Sequence, residues 1–574
     1  MIGGSVASEV EAVRIGERDH EIRRPIRRVA TGGEHQQCSV GSSDGRQAVT
    51  GHGGSSGFGR PHAIAAGQPT QACTTLAPPM HRAPSRLRQR SSLAPIDRPP
   101  PLFPLLLAAV LAACTAEEPA WQPPDVVLIS IDTLRADHLP TYGHERDTAP
   151  RIAALARQAV VFDRAYAHAP HTLPSHASLL TGTYPGRHGV LHRGDSLADG
   201  GVTWAELMAA QGYATGAVVN TYFLAPEFRL DRGFAHYDYA HNLEVNRDAE
   251  SANRDIAPWL DDLAAAVPEE RRPFFLFAHY FDAHSDWGGL PYESPDAWRE
   301  RFAGEAPEGF RSGNGRLFGS RYMAWLNQHG SDYSPEDLAY IRRLYDAGIG
   351  YTDAQVGALL DALEARGLLE SAIVILTSDH GEEFQDHGKL LHTQLYDELV
   401  RVPLIISLPE MRGDAPPACR ALDDPRATAR RVDVLVQHVD LMPTVAECLG
   451  LDPPAGVQGE SILATLNGGE SRRDTAWFET PKGNLRGVLR EGWKLIEWPK
   501  LGVRRLYDLS SDPGETRDLA PAYPERVAEL LEALDLHDAE NHAGRVAGAA
   551  AEVSDEVHRK LEALGYVQEE EPAP

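Results

Sequence analysis

The chain has 574 residues, 42% of them hydrophobic, and a formal net charge of −27. Residues 1–113 carry 13 Arg, no Lys and 8 acidic residues, whereas the remaining 461 residues have a net charge of −32. A nucleic-acid binder needs Lys and Arg to replace phosphate counterions, so this acidic balance excludes nucleic acid as the expected partner. The apolar content from residue 124 onward excludes global disorder, and about 150 residues per domain would allow three or four domains.

The front of the chain predicts a leader. Residues 1–79 are rich in Gly, Ser, Arg and His without any sustained period, and we expect them to be disordered. Five Arg follow Met80, and then comes the apolar run Leu102–Ala113, which is too short to span a bilayer. Residues 80–113 therefore predict a secretory signal. A signal at this position implies that residues 1–79 are a non-native extension and that translation begins near Met80.

The end of this signal resembles a bacterial lipobox. Its sequence is Leu-Ala-Ala followed by Cys114. The resemblance implies that Cys114 is lipidated and anchors an exported bacterial protein in the periplasm or at the cell surface, with residues 114–123 as a tether. Two cysteines follow, Cys419 and Cys448, and the sequence leaves open whether they pair.

From residue 124 to about residue 475, apolar strands alternate with amphipathic helices. The predicted strands are Asp125–Ile131, Ala217–Val219, Phe274–Tyr280, Ala372–Thr377 and Val402–Ser407. The predicted helices are Pro150–Val160, Pro335–Leu363 with a break around Gly348–Gly350, and Asp440–Leu449. This alternation predicts an α/β catalytic domain over residues 124–475. Its mainly parallel sheet is covered by helices on both faces, and its ligand site lies beyond the carboxyl ends of the strands.

Beyond residue 475 the pattern changes. Short strand-like runs over 477–479, 486–490, 494–498 and 505–509 are separated by turns, and a helix is predicted over 524–536. They predict a small C-terminal antiparallel subdomain over residues 476–536. Residues 537–574 form an acidic tail with one more helix predicted over 551–564.

Two segments place acidic and His residues where strands end. Asp132 follows the first strand, and Asp379 and His380 follow the strand Ala372–Thr377. Two carboxylates and an imidazole suit a divalent cation. For either segment alone, an Asp in this position is more often a helix N-cap.

A third segment, His171 to Gly182, places the hydroxyl of Thr172 just before a helix that Pro174 is expected to start. A helix N-terminus favours a bound anion or an ionised hydroxyl. The alternative is that Thr172 simply caps the helix.

These segments together resemble the sulfatase branch of the alkaline phosphatase superfamily. The likeness covers about residues 124–520 and rests on motifs that agree in order and spacing. They are Asp132-Thr133-Leu134-Arg135-Ala136-Asp137-His138, Pro174…Leu180-Thr181-Gly182, Tyr184-Pro185-Gly186-Arg187-His188, Ser378-Asp379-His380-Gly381-Glu382, Tyr396-Asp397-Glu398…Arg401-Val402-Pro403-Leu404 and Leu506-Tyr507-Asp508-Leu509…Asp512-Pro513-Gly514-Glu515. The resemblance implies a metal-dependent ester hydrolase with an alkaline phosphatase-like fold, acting on a small-molecule or envelope anionic ester.

The resemblance also implies roles for individual residues. Asp132, Asp379 and His380 match the metal ligands, and Thr172 matches the nucleophile, which also touches the metal. His284 resembles the histidine that contacts the transferred anionic group. Further candidate substrate contacts are His176, Lys389 and His392. His392 stands where many sulfatases have a Lys and would face the substrate or a second metal, whereas a solvent-exposed role is the alternative for Lys389.

Three residues depart from the sulfatase pattern. Thr172 replaces the Cys or Ser that is oxidised to formylglycine, His176 replaces the supporting Arg, and Thr133 replaces a second Asp. A formylglycine hydrate expels sulfate as its aldehyde re-forms. A threonine ester cannot do so and needs a second nucleophile to attack the transferred group. With one carboxylate fewer and an imidazole ligand, Mn²⁺ or Zn²⁺ is favoured, and Ca²⁺ is the alternative.

The expected function is therefore hydrolysis of phosphate esters, diesters or phosphonate esters through a covalent Thr172 intermediate. Sulfuric ester hydrolysis is the first alternative, since it is what whole-chain similarity suggests. A second alternative is a transferase that moves a phospho-headgroup between envelope components, although such relatives usually carry several transmembrane helices. A third is a binding protein that has lost catalysis, against which the retained Asp132, Thr172, Asp379 and His380 count.

Overall fold

A computed structural model of the chain describes residues 121–192, 194–239, 247–267, 271–285, 289–331, 333–409, 416, 419, 430–467, 469, 473–546 and 549–551. The predicted leader, Cys114 and nearly all of the helix predicted over 551–564 lie outside these residues.

The strands and helices of the described residues are labelled here in chain order. The strands are β1 (Asp125–Ile131), β2 (Val160–Tyr166), β3 (Asp195–Ser196), β4 (Ala214–Val219), β5 (His236–Tyr239), β6 (Phe274–Tyr280), β7 (Ala372–Thr377), β8 (Glu383–Phe384), β9 (Leu390–Leu391), β10 (Arg401–Ser407), β11 (Arg430–Gln437), β12 (Thr475–Glu479), β13 (Arg486–Arg490), β14 (Trp493–Trp498), β15 (Val503–Asp508) and β16 (Ala549–Ala550). The helices are α1 (Pro150–Ala156), α2 (Thr172–Thr181), α3 (Pro185–His188), α4 (Trp204–Ala210), α5 (Ala249–Ala265), α6 (Asp296–Phe302), α7 (Gly319–His329), α8 (Pro335–Glu364), α9 (Asp397–Val400), α10 (Leu441–Cys448), α11 (Leu463–Leu466) and α12 (Pro524–Ala543).

The central sheet has the strand order β11-β2-β10-β7-β1-β6-β4-β5. β10 is antiparallel to both of its neighbours, and the other pairings are parallel. The strands β1, β6 and β7 are buried along their whole length, as expected for parallel strands that are covered on both faces. The predicted mainly parallel α/β sheet flanked by helices is confirmed.

Successive side chains of β1 enter two separate hydrophobic cores. Val126 and Leu128 pack in the core that contains α4 and Phe275, whereas Val127 and Ile129 pack in the core beneath α8. The period of two along a strand sends neighbouring residues to opposite faces, so one apolar run supplies both cores. The carboxyl ends of β6, β1 and β7 are left side by side at one edge of the sheet, where Asp132, His284, Asp379 and His380 follow them.

Two helix predictions were wrong in detail. The helix predicted over Pro150–Val160 ends at Ala156, and Val160 starts the β-branched and aromatic strand β2, which the prediction missed together with β5 and β11. Helix α8 is continuous through Gly348 and Gly350. A Cβ on Gly348 would lie 2.8 Å from Asp282 O, and one on Gly350 would lie 2.7 Å from the Phe302 ring. These glycines therefore allow close packing and do not break the helix.

The other differences are at element ends. β4 begins at Ala214, β10 begins at Arg401, and α10 ends at Cys448 after a 3₁₀ turn over His438–Asp440. Cys419 and Cys448, whose pairing the sequence left open, form a disulfide with a Cα–Cα distance of 4.8 Å.

The C-terminal part contains an antiparallel sheet with the order β12-β13-β14-β15, as predicted. Apolar residues of three of its strands, Val488, Leu495 and Leu506, pack against Leu530 and Leu534 of α12. This helix extends to Ala543 and thus passes the boundary predicted at residue 536. Within the described residues, no helix combines the length and the apolar character needed to span a bilayer.

Candidate active site

Three side chains with unsatisfied polar atoms meet where β1 and β7 end. Asp132, Asp379 and His380 are fully buried, and their candidate ligand atoms lie within 4.8 Å of one another. His380 Nε2 is 3.4 Å from Asp379 Oδ2 and 3.9 Å from Asp132 Oδ1. Among the described residues, none of these three atoms has a hydrogen-bond partner. Buried charged groups require a compensating charge, so these oxygen and nitrogen donors fit a divalent cation.

Hydrogen bonds fix the orientation of Asp379 and His380, the second and third residues after β7. His380 Nδ1 donates to Gly381 O at 2.9 Å, and because a carbonyl only accepts, Nε2 carries the lone pair that a metal ion needs. Asp379 Oδ1 accepts from the main-chain N–H groups of Thr133 and His380 at 3.2 and 2.9 Å. Burial raises the pKa of Asp132 to about 7, because the charged form is disfavoured where no water reaches it.

Thr172 is the first residue of α2 and lies against this cluster. The N-cap is His171, and Thr172 Oγ1 donates to Asp132 Oδ2 at 3.4 Å, whereas no side chain caps the helix. Pro174, which was expected to start the helix, is its third residue. The structure therefore brings together a nearly buried hydroxyl, a helix N-terminus that favours negative charge, and the candidate ligands.

Two of the residues that depart from the sulfatase pattern bind main-chain groups. His176 is fully buried; its Nδ1 donates to Thr172 O at 2.8 Å, and Ser130 Oγ donates to its Nε2 at 2.9 Å. Burial lowers the pKa of His176 to about 3, so its ring is neutral. Thr133 Oγ1 donates to Ala283 O at 3.2 Å. The ring of His176 is enclosed by protein in this structure. The substrate contact predicted for it stays a prediction.

A second group of imidazoles adjoins His380. The ring centroid of His392 lies 4.5 Å from that of His380 and 5.2 Å from that of His284. His392 Nδ1 is 3.3 Å from Glu382 Oε1, and His284 Nδ1 donates to Ser285 O at 2.7 Å. Burial lowers the pKa of His284 well below its ordinary value and raises the pKa of Glu382 to about 8. The geometry thus places the predicted residues His284 and His392 next to the ligand set.

Lys389 is engaged elsewhere. Its Nζ donates to Asn327 O in α7 at 3.1 Å, and its main-chain N–H donates to Glu383 Oε1 at 3.0 Å. The hydrogen bonds and ion pairs of the described residues do not join Lys389 to Asp132, Thr172 or His380. The Lys389 side chain is therefore bonded to α7 and to none of these three residues. Cys114 lies outside the described residues.

Two residues of this site, His279 and Glu382, have no role predicted from the sequence. His279 is fully buried in β6, and its Nε2 is 3.4 Å from Asp132 Oδ2. Burial lowers the pKa of His279 to about 4. The available signal was a polar residue near the end of an otherwise apolar strand, five residues before His284. Glu382 ends the motif Ser378–Glu382, but its contact with His392 depends on a turn that the motif does not reveal.

Comparisons with known proteins identify the family. The family model described as Sulfatase matches residues 124–451, and a model of the N-sulphoglucosamine sulphohydrolase C-terminal region matches residues 385–539. Arylsulfatase K of Mus musculus is 24% identical over 490 residues, which cover 74% of this chain and 83% of the mouse protein.

Solved structures show the same fold. The phosphonate monoester hydrolase of Agrobacterium radiobacter has a TM-score of 0.58 at 22% identity, covering 73% of this chain and 96% of that one. A second protein, solved in complex with its substrate D-glucosamine-2-N,6-O-disulfate, has a TM-score of 0.59 at 17% identity, and the match covers 74% of this chain and 99% of that protein's chain. The chain therefore belongs to the sulfatase family and is an ester hydrolase with an alkaline phosphatase-like fold.

Proposed function

We propose that the enzyme hydrolyses phosphate or phosphonate esters through a covalent intermediate on Thr172. The observation that carries this proposal is the Thr172 hydroxyl at the N-terminus of α2, bonded to Asp132 Oδ2 at 3.4 Å. The resemblance to sulfatases implies formylglycine at this position, but a threonine cannot re-form an aldehyde to expel sulfate. Release of the product then requires attack by water on the transferred atom, for which phosphorus is suited.

Asp132, Asp379 and His380 would hold a divalent cation in this proposal. The support is their three unsatisfied atoms, one of which is an imidazole nitrogen with its lone pair available. We propose Mn²⁺ or Zn²⁺, with Ca²⁺ as the alternative, because nitrogen donors suit the first two ions. When bound, the ion would lower the pKa of the Thr172 hydroxyl and neutralise negative charge that develops on the transferred group.

The proposed reaction has two steps. In the first, the Thr172 hydroxyl has lost its proton to solvent, and the ionised Oγ1 forms a bond to phosphorus while the bond from phosphorus to the leaving oxygen breaks and His392 donates a proton to that oxygen. In the second, water attacks phosphorus, the bond to Thr172 Oγ1 breaks and leaves this oxygen ionised again, and His392 takes the proton from water and so regains the one it gave in the first step. Glu382, 3.3 Å from His392 Nδ1, would orient this imidazole, and His284 would bind the anionic group.

Sulfuric ester hydrolysis is the second candidate. The comparisons favour it over phosphate ester hydrolysis, because the matching family model and Arylsulfatase K are sulfatases. Two points separate the candidates: the identity of residue 172 favours phosphorus, and whole-chain similarity favours sulfur. The envelope transferase stays a further prediction of the sequence.

A purified-enzyme comparison tests the proposal. Matched phenyl esters of sulfate, phosphate and a phosphonate, and a phosphodiester, are each supplied with Mn²⁺, Zn²⁺ or Ca²⁺. We expect the highest kcat/KM for a phosphorus ester with Mn²⁺ or Zn²⁺, and fast turnover of the sulfate alone would establish the second candidate instead.

We also propose that the protein is exported and anchored to a membrane through Cys114. The predicted signal at residues 80–113 supports this, and so does the Cys419–Cys448 disulfide, since disulfides persist in oxidising compartments. Mass spectrometry of the native protein tests the proposal. We expect an N-terminal peptide that begins with acylated Cys114, whereas a peptide from residues 1–79 would contradict it.

A further inference from the structure

His279 has a buried imidazole that the proposed reaction does not use. It is the penultimate residue of β6 and pairs with Ser130 of β1, two residues before Asp132. Its side chain is fully buried, and neither ring nitrogen has a hydrogen-bond partner within the described residues. A buried polar group without a partner is costly, so a histidine retained in this form points to a function in the complete site.

The contacts of Asp132 indicate what this function is. His279 Nε2 and Thr172 Oγ1 both approach Asp132 Oδ2, at 3.4 Å each, whereas Asp132 Oδ1 is the oxygen near His380 Nε2. The two oxygens of one carboxylate therefore face different groups, and His279 contacts only the one that points away from His380.

We propose that His279 is a positioning residue that donates an Nε2–H hydrogen bond to Asp132 Oδ2 and so directs Oδ1 toward the bound cation. This inference rests on the proposal that Asp132, Asp379 and His380 bind a divalent cation. The group of residues whose ligand atoms lie within 4.8 Å of one another contains these three and not His279. His279 thus contacts the carboxylate from outside the ligand set, as outer hydrogen-bond partners of metal ligands do.

Asp132 lacks the main-chain hydrogen bonds that orient the other two candidate ligands. Asp379 Oδ1 accepts hydrogen bonds from two main-chain N–H groups, and His380 is oriented by its hydrogen bond to Gly381 O. Asp132, in contrast, receives its one hydrogen bond between described residues from Thr172, the proposed nucleophile. When Thr172 Oγ1 is bonded to phosphorus, it can no longer donate to Asp132. His279 would then hold the carboxylate in place throughout both steps.

A matched pair of variants tests the hydrogen bond. His279→Gln and His279→Met have unbranched side chains of similar size, but only Gln can donate an N–H. Binding of Mn²⁺ to the metal-free full-length protein is measured by isothermal titration calorimetry, with circular dichroism as the check on folding. We expect H279M to bind Mn²⁺ about 10- to 100-fold more weakly than the wild type, and H279Q to recover most of this loss.

The outcomes separate the two proposals. Wild-type protein that binds no divalent cation would contradict the metal site itself. Wild-type affinity in folded H279M, or equal losses in H279M and H279Q, would overturn the role of His279 alone. Should H279M not fold, a crystal structure of the Mn²⁺-loaded wild type decides: a hydrogen bond from His279 Nε2 to Asp132 Oδ2 supports the inference, and direct coordination by His279 or a broken contact overturns it.

Discussion

At the scale of single residues, the proposed reaction depends on the Thr172 hydroxyl. Thr172→Ala removes the nucleophile and should lower kcat by at least about 10³-fold, while Thr172→Ser should retain measurable turnover. The control is Thr181→Ala at the other end of α2, where the hydroxyl donates to Ala177 O and lies outside the site. Steady-state kinetics with the best phosphorus ester gives the answer. An unchanged rate in T172A would show that the nucleophile is another group.

His392 should matter most when the leaving group is poor. An alkoxide or unactivated phenoxide needs a proton as it departs, whereas nitrophenoxide leaves without one. His392→Ala should therefore lower kcat by about 10²- to 10⁴-fold for a phenyl ester and much less for the nitrophenyl ester. The exposed His329 provides a control substitution to Ala. Equal losses on both esters would argue that His392 binds the substrate and does not transfer a proton.

At the scale of elements, the segment after β7 is held by close packing at Gly381. Gly381 N–H donates to Leu399 O at 2.8 Å, and a Cβ on Gly381 would lie 1.9 Å from Glu398 O. Gly381→Ala must displace this segment and with it Asp379 and His380. We expect Mn²⁺ affinity to fall at least about 10-fold, measured by calorimetry.

The control for this prediction is Gly201→Ala, because a Cβ on Gly201 meets no atom within 4 Å. Full Mn²⁺ affinity in G381A would show that the segment tolerates displacement and that the ligand geometry does not depend on this packing.

The elements also show how much the sequence could predict. The bounds of β1, β6 and β7 were predicted to the residue, because buried parallel strands are continuous apolar runs and their polar successors mark the site. β2 was missed because its Asp163 and Arg164 interrupt the apolar run. A break in α8 was expected because glycine has a low helix propensity, but propensity does not take account of the tertiary packing that these glycines allow. His279 could not be assigned because its role depends on the pairing of β6 with β1, which residue order alone does not give.

At the scale of the whole molecule, a buried ion network joins the central sheet region to the C-terminal sheet. Lys494 of β14 is fully buried, with its Nζ 2.8 Å from Asp397 Oδ1 and 3.0 Å from Glu515 Oε1. Lys494→Met leaves buried acidic groups without their cation and should lower the free energy of unfolding by about 3–5 kcal/mol in urea titrations. The exposed Lys500, changed to Met, should cost less than about 0.5 kcal/mol. If Lys494→Met lowers the free energy of unfolding by as little as Lys500→Met does, the network does not stabilise the fold.

The same region should make stability depend on pH. Burial lowers the pKa of His387, but the hydrogen bond to Glu398 and the charges of Glu398, Glu515 and Glu383 outweigh it and raise the pKa above its ordinary value. The folded state thus binds a proton more tightly than the unfolded chain. This stabilisation is complete below pH 6.5 and is lost as the pH rises through the raised pKa.

The H387Q variant should therefore be less stable than the wild type at pH 6, and this difference in the free energy of unfolding should shrink as the pH rises to 9. Urea denaturation of the wild type and the variant across that range measures it. Parallel stability curves for the wild type and H387Q would show that His387 does not titrate in this range.

The most direct test of the central claim is to trap the covalent intermediate. Metal-loaded enzyme is mixed with a phosphate or phosphonate ester, quenched in acid within its first turnover, digested and analysed by peptide mass spectrometry, with the sulfate ester treated in parallel. We expect a phosphoryl or phosphonyl group on Thr172 and its absence in T172A. Covalent catalysis of phosphorus-ester hydrolysis by Thr172 would be contradicted if a phosphorus ester turned over rapidly without modifying Thr172, or if an adduct formed from the sulfate ester alone.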